Sequence, residues 1–345
     1  MAYTTIPKSS DYFNTKLYSG SNGTQSVSGV GFQPDWSWLK CRSSAYNHRL
    51  FDAVRGVTKN LQSNATNAEQ TIDEGITAFN SDGFSVKQGA NLEYNASGQT
   101  YASWNWKANG SGSANTDGSI SSTVSVNTTS GFSIVSYTGT GSNATVGHGL
   151  GSAPKVVIVK NRSVSQNWQV YHGAISGMSG GYITLNATDG FLTNNTTIWN
   201  GNPDSLIFGV GTGYANTSSV TNIAYCFAEK QGYSKFGSYT GNGNADGTFV
   251  YTGFKPAMII MKRSDASGNN WRIFDNKRST SGFNVTDKAL RPNTSDAEIT
   301  SNIDFLSNGV KIRNTDGETN TSGATYIYMA FAEEPLVGDN PATAR

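Results

Sequence analysis

The chain has 345 residues, of which 36% are hydrophobic and only 14% charged, with 39 glycines and a formal net charge of +1. This length predicts two or three domains, and the near-zero charge argues against a general electrostatic grip on nucleic acid. The abundance of Gly, Asn, Ser, Thr and aromatic residues, without long apolar stretches at helical spacing, predicts short strands and turns and few helices.

The first residues, MAYTTIPKSSDYF, have no charged start followed by an apolar stretch. No run reaches the roughly 18 apolar residues of a membrane span, so we expect neither a standard export signal nor membrane insertion. Residues 1–9 are predicted to form a short N-terminal arm. Cys41 and Cys226 match no metal or redox spacing and are predicted to be separate buried thiols.

An internal repeat organises the rest of the chain. A turn of Tyr, a hydroxyl residue and Gly occurs in KLYSGSNG, VSYTGTG and GSYTGNGNADG. After each turn comes a proline and an apolar run that ends at Lys40, Lys160 or Lys262, in QPDWSWLKCRSS, APKVVIVKNRSV and KPAMIIMKRSDA. Each copy then has a tight Asp-Gly or Asn-Gly turn and a last apolar strand, YASWNWKA, IAYCFAEK or YIYMAFAEE. This agreement predicts a triplicated chain.

Each copy is predicted to form five or more short antiparallel strands. The runs KVVIVK and AMIIMK are apolar almost throughout, which indicates central strands covered on both faces. The predicted fold is all-β, with three tandem antiparallel β-sandwich modules of jelly-roll or lectin-like type. The predicted segments are 10–109 for repeat 1, 110–129 for a linker that contains a strand, 130–236 for repeat 2, 237–338 for repeat 3 and 339–345 for a C-terminal tail.

Comparison of the copies divides the aromatic residues into two groups. Positions that stay apolar in equivalent places are expected to be core, namely Trp36 with Val156 and Met258, Trp106 with Phe227 and Phe331, and Trp168 with Trp271. Other aromatics lie where the copies differ, and they are candidates for contact with a sugar ring or a partner. These are Trp199, Tyr214, Tyr46 and Tyr94. The alternative is a loop aromatic that packs on its own module.

Two similar loops carry candidate ion pairs. The segment NATNAE at 64–69 follows Arg55, and NTSDAE at 293–298 follows Arg278, whereas the middle copy shortens this region. Arg55 with Glu69, and Arg278 with Glu298, are therefore candidates for equivalent structural ion pairs that hold a long loop. The alternative is exposed charges that contribute less than about 1 kcal/mol.

The sequence offers no pattern typical of catalysis. No strand carries the alternating acids of a sandwich-fold glycosidase, and the three histidines show neither triad nor metal-ligand spacing. His172 stands where the other copies have Asp52 and Asp275, which favours a structural hydrogen bond. We expect no catalytic residue, no metal ion and no cofactor.

Several segments also resemble a known family. FSIVSYTGTG, HGLGSAPKVVIVKNRS, IAYCFAEKQGYSKFGSYTGNG, DGTFVYTGFKPAMIIMKRS and YIYMAFAEE resemble an uncharacterised repeat domain of tailed phages. That domain is frequent in marine phages and cyanophages, in proteins labelled tail fibre or virion structural protein. The resemblance covers nearly the whole chain, from DYFNTKLYSG onward. It implies a virion component that is assembled in the host bacterial cytoplasm and displayed on the particle surface.

From this resemblance we expect a non-enzymatic structural protein, either a tail fibre or a receptor-binding component for host adhesion. The alternatives are a capsid decoration or cement protein that stabilises the head and, third, a glycan depolymerase. The expected partners are other virion proteins, a host-surface glycan or receptor, and further copies of the chain, with a trimer as one option. Neither nucleic acid nor a membrane is an expected partner.

Overall fold

The computed structural model describes residues 4–193, 197–280, 284–335 and 341. Within these ranges the chain has 27 strands, two short 3-10 turns at Ser9–Asp11 and Met178–Gly180, and no α-helix. The prediction of an all-β protein is confirmed. Residues 1–3 of the predicted arm, and all but one residue of the predicted tail 339–345, lie outside the described residues.

The strands follow the three copies found in the sequence. Repeat 1 contains β1 (Phe13–Ser19), β2 (Thr24–Ser28), β3 (Trp36–Cys41), β4 (Arg49–Asp52), β5 (Lys59–Asn60), β6 (Gln70–Thr71), β7 (Gly75–Asn80), β8 (Gly83–Lys87) and β9 (Thr100–Trp106). Repeat 2 contains β10 (Ser113–Asn115), β11 (Ser122–Asn127), β12 (Phe132–Thr138), β13 (Ala144–Gly147), β14 (Val156–Asn161), β15 (Gln169–His172), β16 (Gly181–Thr184), β17 (Leu192–Thr193), β18 (Ile207–Val210) and β19 (Thr221–Phe227). Repeat 3 contains β20 (Ser234–Thr240), β21 (Phe249–Tyr251), β22 (Phe254–Arg263), β23 (Arg272–Asp275), β24 (Val285–Leu290), β25 (Ile299–Leu306), β26 (Gly309–Ile312) and β27 (Thr325–Pro335).

The segment 110–129 belongs to a sheet. It contributes β10 and β11, and β11 pairs along its length with β12. The predicted strand STVSVNT is therefore present as β11, and the glycine-serine stretch before it is a short connection within repeat 2.

Four antiparallel strands recur with one topology in every repeat. Their order is β1-β9-β3-β4 in repeat 1, β12-β19-β14-β15 in repeat 2 and β20-β27-β22-β23 in repeat 3. The register also recurs: Trp36 lies opposite Trp106 and Asp52, Val156 opposite Phe227 and His172, and Met258 opposite Phe331 and Asp275. A slip of one residue would turn each strand's buried face outward, so the shared register fixes equivalent side chains in equivalent places.

One face of each four-stranded sheet points to a common core. Trp106, Phe227 and Phe331 meet there, with ring centroids 6.4 Å apart for Trp106 and Phe227, 5.6 Å for Trp106 and Phe331, and 5.7 Å for Phe227 and Phe331. These equivalent residues form a triangle, so the repeats surround an approximate threefold axis. Ile6 of the N-terminal segment is fully buried in the same core, which places that part of the arm against the ring.

The opposite face of each sheet covers a smaller outer core that belongs to its own repeat. Every residue of β14 is buried, as predicted for a strand covered on both sides. The outer cores contain Phe51, Phe84 and Tyr94 in repeat 1, Tyr137, Trp199 and Phe208 in repeat 2, and Tyr239, Phe274 and Phe305 in repeat 3. The prediction of three tandem modules therefore does not include the central core. The apolar inner face of each sheet is covered only where the other two repeats pack against it.

The sheet of repeat 3 is nearly closed into a barrel. Its eight strands run in the order β20-β27-β22-β23-β24-β25-β26-β21, so β20 and β21 form its two edges. The Thr248 hydroxyl, just before β21, donates to the carbonyl of Thr240 at the end of β20 over 2.6 Å. The curled sheet thus brings its first and last strands together.

Two further sequence expectations concern the thiols and membrane spans. Cys41 and Cys226 are both free and buried, as predicted. Among the described residues, no helix has the length and apolar character needed to cross a bilayer.

We predict that Phe227→Ala lowers the free energy of unfolding by about 3–5 kcal/mol, because it leaves a cavity on the axis that all three repeats share. Urea unfolding followed by tryptophan fluorescence and circular dichroism measures this loss. The two signals should change together in one transition, since no repeat has a complete core alone. Tyr214→Ala is the control and should stay within about 0.5 kcal/mol, because that side chain is exposed. Separate transitions for separate repeats would contradict the shared core.

Candidate functional site

The three junctions between neighbouring repeats share one set of contacts. In the first contact of the set, the last residue of β4, β15 or β23 meets the final strand of the next repeat, which is β19, β27 or β9 respectively. Tyr225 donates from its hydroxyl to Asp52 Oδ2 (2.8 Å), Trp104 Nε1 donates to Asp275 Oδ2 (2.9 Å), and His172 Nε2 donates to the Tyr328 carbonyl (3.1 Å). Repeat 2 thus contacts repeat 1, repeat 1 contacts repeat 3, and repeat 3 contacts repeat 2. The ring is closed.

A second contact of the set lies just before each fourth strand. Trp168 Nε1 donates to the Gln62 carbonyl (2.8 Å) and Trp271 Nε1 donates to the Thr184 carbonyl (3.0 Å). At the remaining junction His48 Nε2 donates to the Arg291 carbonyl over 3.0 Å. The tryptophans predicted as core therefore also connect neighbouring repeats.

The two histidines in these contacts are neutral. His48 Nδ1 accepts the Trp38 indole N–H at 2.8 Å, and His172 Nδ1 accepts the Ala174 amide at 3.3 Å, while each Nε2 donates to a carbonyl. Burial lowers the pKa of His48 well below its usual value and lowers that of His172 to about 4. The role predicted for His172, a structural hydrogen bond, is confirmed.

The candidate ion pairs lie at two junctions and extend across them. Arg55 Nη1 lies 3.2 Å from Glu69 Oε2, and the same carboxylate accepts from Arg162 of repeat 2 at 2.9 Å. Arg55 also pairs with buried Asp52. Burial acts to raise the pKa of Glu69, but hydrogen bonds and charge from Arg162 and Arg55 outweigh it and lower the pKa. Glu69 is therefore a bridge between repeats 1 and 2.

The junction between repeats 1 and 3 has the equivalent chain of charges. Arg278 Nη1 lies 3.2 Å from Glu298 Oε2, and Arg42 Nε of repeat 1 lies 2.9 Å from the same carboxylate. The third junction differs, because repeat 2 has the shortened loop. There Arg263 pairs at 2.7 Å with Asp265 of its own repeat, and the Phe191 amide donates to the Ser264 carbonyl at 2.7 Å.

The lysines that end the apolar runs are buried, which the sequence pattern did not indicate. Lys40, Lys160 and Lys262 have no exposed surface and donate to backbone carbonyls. Lys160 and Lys262 reach carbonyls of the neighbouring repeat, at Thr66 (3.1 Å) and Thr188 (3.3 Å). Burial lowers the pKa of each lysine to about 8. Lys160 and Lys262 therefore connect neighbouring repeats through hydrogen bonds, and none of the three buried lysines contributes to a basic surface.

Two of the four aromatic candidates for surface contact are wrong. Trp199 is 2% exposed and packs edge-on against Tyr171, and Tyr94 is fully buried beside Phe51. Both lie in segments that differ between copies, but these segments fold back over the apolar outer cores. Of the other two, Tyr46 is half-buried and Tyr214 is 43% exposed.

An exposed aromatic pair that the sequence reasoning missed lies on β21. Phe249 is 41% exposed and Tyr251 is 56% exposed, whereas Val250 between them is buried. Alternate residues of a strand share a face, so the two rings project from the same side. The matching strands carry small residues at these places: Ser26 and Ser28 flank Val27, and Thr145 and Gly147 flank Val146. Comparison of the copies at this strand would have found the pair.

Beside Tyr251 lies an open cleft of about 470 Å³, here named the Tyr251 cleft, lined by Glu229, Gln231, Gly232, Ser234, Lys235, Tyr251, Thr252 and Gly253. Glu229 accepts from Lys235 Nζ at 2.9 Å and from the Phe236 amide at 3.3 Å, which fixes its carboxylate. The cleft thus combines an exposed aromatic ring with an oriented acceptor and a donor. Among the described residues, the cleft included, no group of three or more His, Cys, Asp or Glu side chains could hold a metal ion.

We predict that Glu69→Gln lowers the free energy of unfolding by on the order of 1–3 kcal/mol, because Arg55 and Arg162 lose the charge that they share. Urea unfolding at pH 7 measures the change. Asp265→Asn is the matched control at the third junction, where the more exposed pair should contribute less than about 1 kcal/mol. Equal losses for the two variants would contradict a bridging role for Glu69.

We predict that stability falls as the pH decreases from about 6.5 to 5. An unfolded histidine binds a proton near pH 6.5, whereas folded His172 stays neutral until about pH 4, so protons favour the unfolded state across this window. The loss attributable to His172 is on the order of 2 kcal/mol at pH 5. Urea midpoints at several pH values measure it, and His172→Gln should make the decline shallower. An unchanged decline in that variant would contradict the assignment.

No curated protein and no solved structure matches the chain. A family match covers residues 8–335, a range that includes all three repeats. The chain therefore belongs to the family described as Domain of unknown function (DUF7483).

Proposed function

We propose that this chain is a non-enzymatic structural protein of a tailed-phage virion, working at the host-facing surface as a tail-fibre or receptor-binding component. The observation that carries the proposal is a closed ring of repeats whose differences lie on outer strands and loops, as on β21. A rigid β scaffold that presents variable surface segments is suited to recognition. The resemblance of the repeated segments to a phage repeat domain agrees with this role.

In finer detail, we propose that each repeat is a β-sandwich of jelly-roll or lectin-like type. The small outer sheets, such as β2-β8-β7 in repeat 1 and β13-β18 in repeat 2, would form the second layer over each outer core. The inner layer would be the four-stranded sheet that faces the shared axis. This arrangement leaves the outer layer free to contact other virion proteins, further copies of the chain and a host-surface glycan or receptor.

The approximate threefold axis favours a second candidate, a capsid decoration protein. Three equivalent surfaces around one axis would match three equivalent neighbours in a head lattice, even though one chain supplies all three. The chain would then stabilise the head by bridging subunits.

Antibody labelling of intact virions, viewed by electron microscopy, tests the proposal. We expect label at the tail, with an antibody against the major head protein as the positional control. Quantitative mass spectrometry should give a few tens of copies per virion or fewer. Label confined to the head, with hundreds of copies, would contradict the tail role and support the decoration role.

A further inference from the structure

We propose that Phe249, Tyr251 and the Tyr251 cleft form a saccharide-binding site on repeat 3. This inference rests on the proposed function for its biological setting, since it names the ligand class that a host-recognition component would bind. The site itself follows from the side chains present and from what the other two repeats have in the same places.

The other two repeats form the matching strand without aromatic residues, although in repeat 3 the Phe249 ring also covers Gly309 on the paired strand. Repeats 1 and 2 build the matching strand with serine, threonine or glycine at these positions. In repeat 1 both flanking serines are exposed beside buried Val27, and in repeat 2 Thr145 is half-buried and Gly147 is buried beside Val146. Two large, partly exposed rings on one strand face are therefore an addition to the shared scaffold. Alternate strand residues lie about 6.6 Å apart, a spacing at which two rings on one face can stack on the C–H faces of adjacent sugar rings.

The polar groups next to Tyr251 suit a ligand rich in hydroxyls. The Glu229 carboxylate is fixed by Lys235 and by the Phe236 amide, and it retains lone pairs that can accept from a hydroxyl. Lys235 is 39% exposed and uses one of its three N–H donors on Glu229, so it can donate to the same ligand. Gln231 is exposed at the cleft and adds an amide that both donates and accepts.

The same chemistry argues against other ligands. A protein partner that anchors on aromatic residues favours a dry, mainly apolar pocket, whereas this cleft has both a carboxylate and an ammonium group at its surface. Single-stranded nucleic acid also stacks on aromatic rings, but it needs a basic groove for its phosphates, and Glu229 would repel them. A neutral saccharide matches the stacking face and the paired donor and acceptor.

The test uses the full chain and saturation-transfer NMR with maltose, cellobiose, lactose and chitobiose as probes. We expect at least one probe to receive saturation on its ring protons. The double variant Phe249→Ser, Tyr251→Ser should weaken that binding by on the order of tenfold or more. The substitution copies Ser26 and Ser28 of repeat 1, so the strand should still form. Leu206→Ser, which removes an exposed apolar side chain on repeat 2, is the control and should bind like the parent chain.

A second variant tests the polar half of the site. Glu229→Gln keeps the shape of the side chain but removes its charge and weakens its bond with Lys235, so we expect a several-fold loss of saccharide binding. Circular dichroism and urea midpoints should show that all variants are folded. No saturation for any probe, or equal binding by the double variant and the parent chain, would overturn the proposal. Self-association that the double variant abolishes, measured by sedimentation equilibrium without saccharide, would also overturn it in favour of a protein interface.

The result of the saccharide-binding test is independent of where the protein lies on the virion. Saccharide binding that depends on Tyr251 in a chain found only on the head would support this site while contradicting the proposed tail role. A chain that is found on the tail but binds no probe would support the tail role and contradict the saccharide site.

Discussion

The contact among Trp106, Phe227 and Phe331 on the approximate threefold axis is the constraint on which the rest of the structure depends. Each repeat has four sheet strands with two apolar faces, and the outer strands of the same repeat cover only one of these faces. The inner faces can leave water only by packing against each other. Three copies are therefore needed to complete one core, and Ile6 is buried in that core as well.

Apolar packing alone would leave the angle between repeats loosely defined, and the polar junction contacts specify it. Buried donors and acceptors must find partners, so Trp104, Tyr225 and His172 tolerate few arrangements of the neighbouring repeat. Glu69 and Glu298 each bind arginines from two different repeats, so these ion pairs also restrict the arrangement of the repeats at two junctions. Among the described residues, the third junction has no carboxylate shared in this way, because the loop of repeat 2 is short. There Lys262 donates to the Thr188 carbonyl and the Phe191 amide to the Ser264 carbonyl, in addition to the contacts of His172 and Trp271.

A core shared by three repeats restricts where the copies can diverge. Inner strands keep large apolar residues at equivalent register positions, since a change of side-chain volume there alters the packing of all three repeats. Outer strands carry no such restriction. This is why Phe249 and Tyr251 can replace the small residues of the other copies without disturbing the ring. The same freedom does not make every divergent aromatic a surface residue, as buried Trp199 shows.

The sequence by itself determined the all-β class, the triplication, the doubly buried strands and the core role of Trp36, Trp106 and Trp168, because these depend on local patterns compared between copies. It also associated Arg55 with Glu69, which are near in the chain. Only the tertiary structure decided that Glu69 also binds Arg162, that the lysines ending the apolar runs are buried, and that Tyr94 and Trp199 turn inward. Those outcomes depend on which distant segments meet, and residue spacing along one chain carries no information about how three copies close around an axis.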